Sequence, residues 1–215
     1  MRPTPDRFKG LAATRWILDA STILRNDLTP YARWSSGGSV LTSDLNVPGG
    51  QFTLGGSQAD SYAAIFSPFK FGNSAGSLRA WSVEVETMGC QGSRGVVEVG
   101  AFSSTYDDLR TSIRWDDTGM LLIPGNIQDS TIKLGNFKQT AGVNAGTLVE
   151  VPDGTASAVA TGWVGGVEVK SGRGAFASGM LDCGITHRGV GEISLRSLVV
   201  TAYWSVAGDM ITKVI

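Results

Sequence analysis

Residues 81–88, WSVEVETM, alternate strictly between two kinds of side chain. In an extended chain successive side chains point to opposite sides, so Trp81, Val83, Val85 and Thr87 share one face and Ser82, Glu84, Glu86 and Met88 the other. This period predicts a strand with one face in a core and the other toward water. Downstream, residues 112–124, SIRWDDTGMLLIP, set Asp116, Asp117, Thr118 and Gly119 between two apolar runs. The aspartates suit a type I turn and Gly119 a left-handed position, which predicts a hairpin.

Further runs of the same kind follow: VVEVGAF (96–102), TIKLGNF (131–137), TLVEV (147–151), SAVATGWV (157–164), GVEVK (166–170), GMLDCGI (179–185) and EISLRSLVVTAYW (192–204). With shorter candidates at 39–41, 51–54 and 62–66 they make about a dozen strands, joined by short connections without helical periodicity. The expected fold is all-β: a two-sheet antiparallel jelly-roll sandwich over residues 46–215. Residues 1–45 are read as an N-terminal arm whose removal would leave the sandwich folded. Within it, Thr4, Pro5 and Asp6 suit the start of a helix carrying Phe8, Leu11 and Trp16, although Gly10 falls inside. Trp16, Ile17 and Leu18 equally suit the start of a strand.

The composition agrees with a turn-rich sheet protein. Glycine supplies 29 of 215 residues, close to twice the usual share of about 7%, and charged residues 17% against about 25%. The net charge of -1 offers no field that would hold nucleic acid or anionic lipid. Uncharged runs such as 198–208 are far shorter than the roughly 20 residues that cross a bilayer as a helix, so no membrane insertion is expected. Arg2, Asp6, Arg7 and Lys9 interrupt any apolar leader, so no signal peptide is expected. Cys90 and Cys183 are too sparse for a disulfide framework or a zinc site.

Four groups of residues are candidates for chemistry. Glu84 and Glu86 project from one strand face with backbones about 7 Å apart, a separation that paired-acid glycoside hydrolysis can use. Two glutamates on the wet face of an amphipathic strand are also what a half-exposed sheet ordinarily carries. His187 is the single histidine, so a Cys–His mechanism would need Cys183, about 13 Å away if both lie on one strand; a loop histidine is the plainer reading. Asp107, Asp108, Asp116, Asp117, Asp129 and Asp153 fall in expected turns, where calcium is the ion their oxygens would take, while turn chemistry alone also explains them. No cofactor is otherwise implied. Trp81 and Trp115 are in phase with apolar neighbours and belong to the core, whereas Trp34 and Tyr106 stand among small polar residues and are expected at the surface.

The last third, with its hairpin GWVGGVEVKSG, the strand GMLDCGI, the loop THRGVG and the closing strand EISLRSLVVTAYW, resembles concanavalin A-like and laminin-G-like sandwiches. The resemblance spans residues 80–205. It implies glycan binding on rim loops, with Trp34, Tyr106, Asp107, Asp108, His187 and Arg188 as the carbohydrate-binding candidates. The family's calcium-ligand acids have no counterpart at matching positions. In jelly-roll glucanases the acids run Glu-x-Asp-x-x-Glu; here Glu86 replaces the Asp and Gly89 the last Glu. The Gly-, Ser- and Thr-rich, cysteine-poor chain with an N-terminal segment also resembles minor tail or accessory virion proteins of tailed bacteriophages. That implies a non-enzymatic structural subunit, made in the host cytoplasm and resident in the virion, with other virion proteins, copies of itself and a cell-surface glycan as partners. The alternatives are a glycan-cleaving hydrolase using Glu84 and Glu86, and a capsid-decorating protein with no ligand.

Overall fold

The computed structural model describes residues 8–21, 28, 30–35, 37–43, 50–68, 70, 78–91, 95–103, 109–116, 119–126, 131–135, 144–151, 157–171, 174–175 and 181–205. In chain order the strands are β1 (Ala12–Asp19), β2 (Ala32–Trp34), β3 (Gly38–Ser43), β4 (Gln51–Gly56), β5 (Tyr62–Phe66), β6 (Leu78–Gln91), β7 (Val96–Ser103) and β8 (Leu109–Asp116). They continue with β9 (Gly119–Asn126), β10 (Ile132–Gly135), β11 (Asn144–Glu150), β12 (Ser157–Val164), β13 (Val167–Lys170), β14 (Gly174–Ala175), β15 (Leu181–Arg188) and β16 (Gly191–Trp204). Every pairing among them is antiparallel.

Two sheets result. The larger, nine-stranded, runs β13-β12-β11-β6-β16-β4-β3, with β1 also on β16 and β14 on β12. The smaller, seven-stranded, runs β10-β9-β8-β7-β15-β5-β2. Between them lies one core, to which the larger sheet sends Trp81, Val83, Val85 and Val200 and the smaller Val97, Val99, Ile113, Trp115, Leu122 and Ile185. The alternation of residues 81–88 thus has its expected sense, with the Trp81 face inward. Burying a side chain of this size stabilises by about 1.5–3 kcal/mol, and only two facing sheets hide so many at once.

The expected hairpins form. Asp116 pairs with Gly119, whose φ is 143°. Val164 pairs with Val167 across Gly165 and Gly166, with φ of 53° and 91°, the doubly positive turn that matches the twist of a two-residue hairpin.

The first 45 residues correct the reading of an arm outside the sandwich. β1 pairs residue for residue with Asp19↔Ser197 through Ala12↔Trp204, β2 lies on β5, and β3 on β4. The strand reading of Trp16, Ile17 and Leu18 is the one realised, because β16 is long enough to hold β4 on its first half and β1 on its second. Phe8 and Leu11 cross instead to the outward face of the larger sheet and cover Ala80, Leu148, Trp163 and Tyr203. The Phe8 ring stacks on Tyr203 at 4.7 Å.

Candidate functional site

One end of the smaller sheet gathers several of the expected glycan contacts. In register across three strands lie Trp34, Ala63 and His187, with Tyr62 and Arg188 one step further along β5 and β15. Backbone hydrogen bonds lock the connections around them. The Ser35 N–H donates to the Tyr62 carbonyl (3.0 Å), Ser57 N–H to Gly37 (3.0 Å) and Gly189 N–H to Ser61 (2.9 Å). The Gln58 N–H donates to Ser61 Oγ at 2.9 Å. Residues 57–60, Arg188 and Val190 are exposed on this rim, and Trp34 is 57% exposed.

Trp34 ends a three-residue edge strand, which by itself would fray. Its neighbour Arg33 holds it. The Arg33 guanidinium lies 5.0 Å from the centre of the Phe66 ring and 3.7 Å from the Asp182 carboxylate. Asp182 is only 3% exposed and also meets Lys70 Nζ at 3.1 Å. Burying a carboxylate is costly unless cations of this kind pair with it. Arg188 similarly covers the Tyr62 ring at 5.5 Å. Arg33, Lys70, Tyr62 and Asp182 were not singled out in the sequence. Asp182 sits beside the noted cysteine, but the cations that neutralise it come from positions far away in the chain.

His187 departs from the expectation of a loop histidine open to a ligand. It lies inside β15 and is 0% exposed. The glycines of THRGVG suggested an earlier loop, yet the strand runs through Arg188 and turns only at Gly189, with φ 93°. Among the described residues neither ring nitrogen has a hydrogen-bond partner. Leaving such a group unpaired costs about 1–3 kcal/mol, and burial pushes its pKa down from the ordinary 6.5. Cys183 shares its strand and face but is a free, buried thiol, raised well above its usual range by burial first and Asp182 second. With Ile185 between them, the two do not form a nucleophile and base.

Tyr106, Asp107 and Asp108 lie outside the described residues. The strands that lead to them, β7 and β8, end and begin at Ser103 and Leu109. Ser103 pairs with Leu181 at the end of β15 opposite Arg188, so these strand ends do not join the rim. Asp117, Asp129 and Asp153 also lie outside the described residues, and Asp116 is 3.6 Å from Arg114. Among the described residues no three His, Cys, Asp or Glu side chains converge as metal ligands.

Glu84 and Glu86 belong to the other sheet and point outward. They line a cleft of about 450 Å³ with Ile17, Asp19, Asn144, Trp163, Glu168 and Ser197. Glu86 is 3.8 Å from Arg196. Ser21 donates its hydroxyl (2.6 Å) and its N–H (2.8 Å) to Asp19, which holds that carboxyl below the usual range. Phe8 and Leu11 close the sheet beyond Trp163 and leave this acidic part open.

No protein-family model matches this chain, and no curated protein sequence does. Solved structures do. Peanut lectin, crystallised with a nine-residue peptide, superposes over 91% of this chain and 99% of its own with a TM-score of 0.58 at 9% identity. The fold is that of the legume lectins. Basic winged bean lectin, solved with Tn-antigen, covers 91% of this chain and 100% of its own at TM-score 0.57 and 9% identity. A carbohydrate esterase from Shiga toxin-encoding bacteriophage phi24B covers 88% and 99% at TM-score 0.54 and 14% identity. On this lectin-type sandwich the Trp34 rim is formed by the connections at one end of the smaller sheet, and the Glu84 cleft by the outward face of the larger.

Proposed function

We propose that this protein is a non-enzymatic, lectin-like virion subunit that holds a cell-surface glycan on the Trp34 rim. The observation that carries this reading is the indole of Trp34, more than half exposed on a rim fixed by backbone bonds. A rigid aromatic face stacks on the apolar face of a sugar at little entropic cost, and the polar groups of residues 57–60 and Arg188 stand ready for its hydroxyls. The lectin-type fold and the phage origin of one structural neighbour support the reading. Neighbouring virion proteins and further copies of the chain are the partners for the remaining surface. A glycan array probed with wild type and Trp34→Ala tests the binding. Binding is expected for wild type, with a loss of at least about tenfold in the variant, as removal of a stacked aromatic anchor brings. An array without signal, or equal binding by both, would overturn it. Mass spectrometry of purified particles tests the virion assignment.

A second reading, glycan cleavage, is favoured by one observation: Glu84 and Glu86 line the same open cleft as Trp163. Reducing ends released from envelope polysaccharide by wild type and lost in Glu84→Gln would establish it. Absence of release from both would remove it.

A further inference from the structure

We propose that His187 is an acid-sensitive latch beneath the Trp34 rim, whose protonation loosens the rim and releases what is bound there. Only the nature of the released ligand rests on the glycan reading; the latch itself does not. His187 occupies the last inward position of β15, with Ala63 of β5 and Val97 of β7 as its register neighbours and Trp34 of β2 one strand beyond Ala63. Gly95, just before β7, lies so close that a Cβ there would be 2.7 Å from Nε2 and 2.8 Å from the Arg188 carbonyl. The ring therefore packs tightly against the start of β7, beside the Arg188 end of its own strand, with both nitrogens unpartnered among the described residues.

Among the described residues nothing charged faces it from the elements packed around it. β5 contributes Ala63 and Ile65 to the core, β7 Val97 and Val99, and β4 and β16, across the core, Phe52, Leu54, Ile193 and Leu195. The titratable groups of these strands, Tyr62, Glu98, Glu192, Arg196 and Tyr203, alternate with core positions and so stand on the outward faces, as does Arg188. On its own strand and face the nearest is the Cys183 thiol, kept neutral by burial. Among the described residues an imidazolium formed here has no carboxylate to meet it, so its charge is accommodated by water entering between β7, β15 and β5 at their rim ends.

The folded pKa lies below the unfolded value of 6.5, so the neutral ring's contribution is fully present above 6.5 and is lost as pH falls toward the folded pKa. One proton taken up on opening raises the opening constant by about tenfold per pH unit in that window.

As the chain has a single histidine, its imidazole Hε1 signal needs no assignment by mutation. The experiment follows that signal in the ligand-free full chain from pH 7.5 to 5, together with the opening constants at Ala63, Val97 and Gly189, each the amide exchange rate divided by that of an unprotected amide at the same pH. The expected result is an imidazole that stays neutral below pH 6.5, with these opening constants rising about tenfold for each unit the pH falls between 6.5 and the folded pKa. In His187→Gln the opening constants should be independent of pH over the same range. An imidazole titrating near 6.5 with the opening constants unmoved would overturn the latch, and so would the same rise in His187→Gln. The wild-type titration is decisive even where the variant fails to fold. Because no ligand is present, an empty glycan array together with acid-driven opening would reject the glycan reading and leave the latch standing.

Discussion

Thr147 carries a hydroxyl into the core face of β11, opposite Val83, and is 0% exposed. Among the described residues its Oγ1 has no partner. Valine has nearly the same shape and no polar atom, so Thr147→Val should stabilise the fold by about 1 kcal/mol, the cost of burying an unpaired hydroxyl. Urea denaturation at neutral pH would show it as a raised midpoint with an unchanged slope. Single residues were also where sequence reading was least secure. Glu84 and Trp81 were placed on opposite faces by local alternation alone, and the structure keeps them there. His187 offered no such signal. Its burial is imposed by Ala63 and Val97, residues more than eighty positions away in the chain, and a glycine-rich tripeptide after it looked like the start of a turn.

Strands and their turns were legible because both rest on neighbours in sequence. The hairpins at Asp116–Gly119 and Val164–Val167 follow from turn residues flanked by alternating runs, and each forms in the expected register. The segment around Trp16 was ambiguous for the opposite reason: its apolar residues suit either period, and the decision came from β16, whose free flank accepts a strand. Close strand approach imposes a further constraint at Gly184 in the middle of β15. A Cβ there would lie 2.0 Å from the Ile65 carbonyl on β5. Gly184→Ala should therefore push β5 and β15 apart and destabilise by about 1–3 kcal/mol, as overpacking does. The same variant should lose exchange protection at the β5–β15 pairs first, measurable by native-state hydrogen exchange.

At the level of the entire sandwich, the beginning of the chain completes both sheets. Leu18, Ala20 and Leu28 are core residues, and β1, β2 and β3 cover flanks of β16, β5 and β4. Deleting residues 1–45 should thus expose three unpaired edges and a part of the core. The shortened chain is expected to be aggregated or unfolded by size-exclusion chromatography and circular dichroism. A soluble, sheet-rich monomer would contradict this. Two surfaces then carry the functional readings: the Trp34 rim, and the open acidic cleft at Glu84 and Glu86. They lie on different sheets and can be tested separately. The alternation of side chains, being a relation between adjacent residues, was enough to specify strands, their inward faces and hence a two-layer all-β fold. Which strand lies beside which, and so the assembly of the rim and the burial of His187, arises from pairing between residues distant along the chain. Those contacts exist only once the backbone has closed on itself.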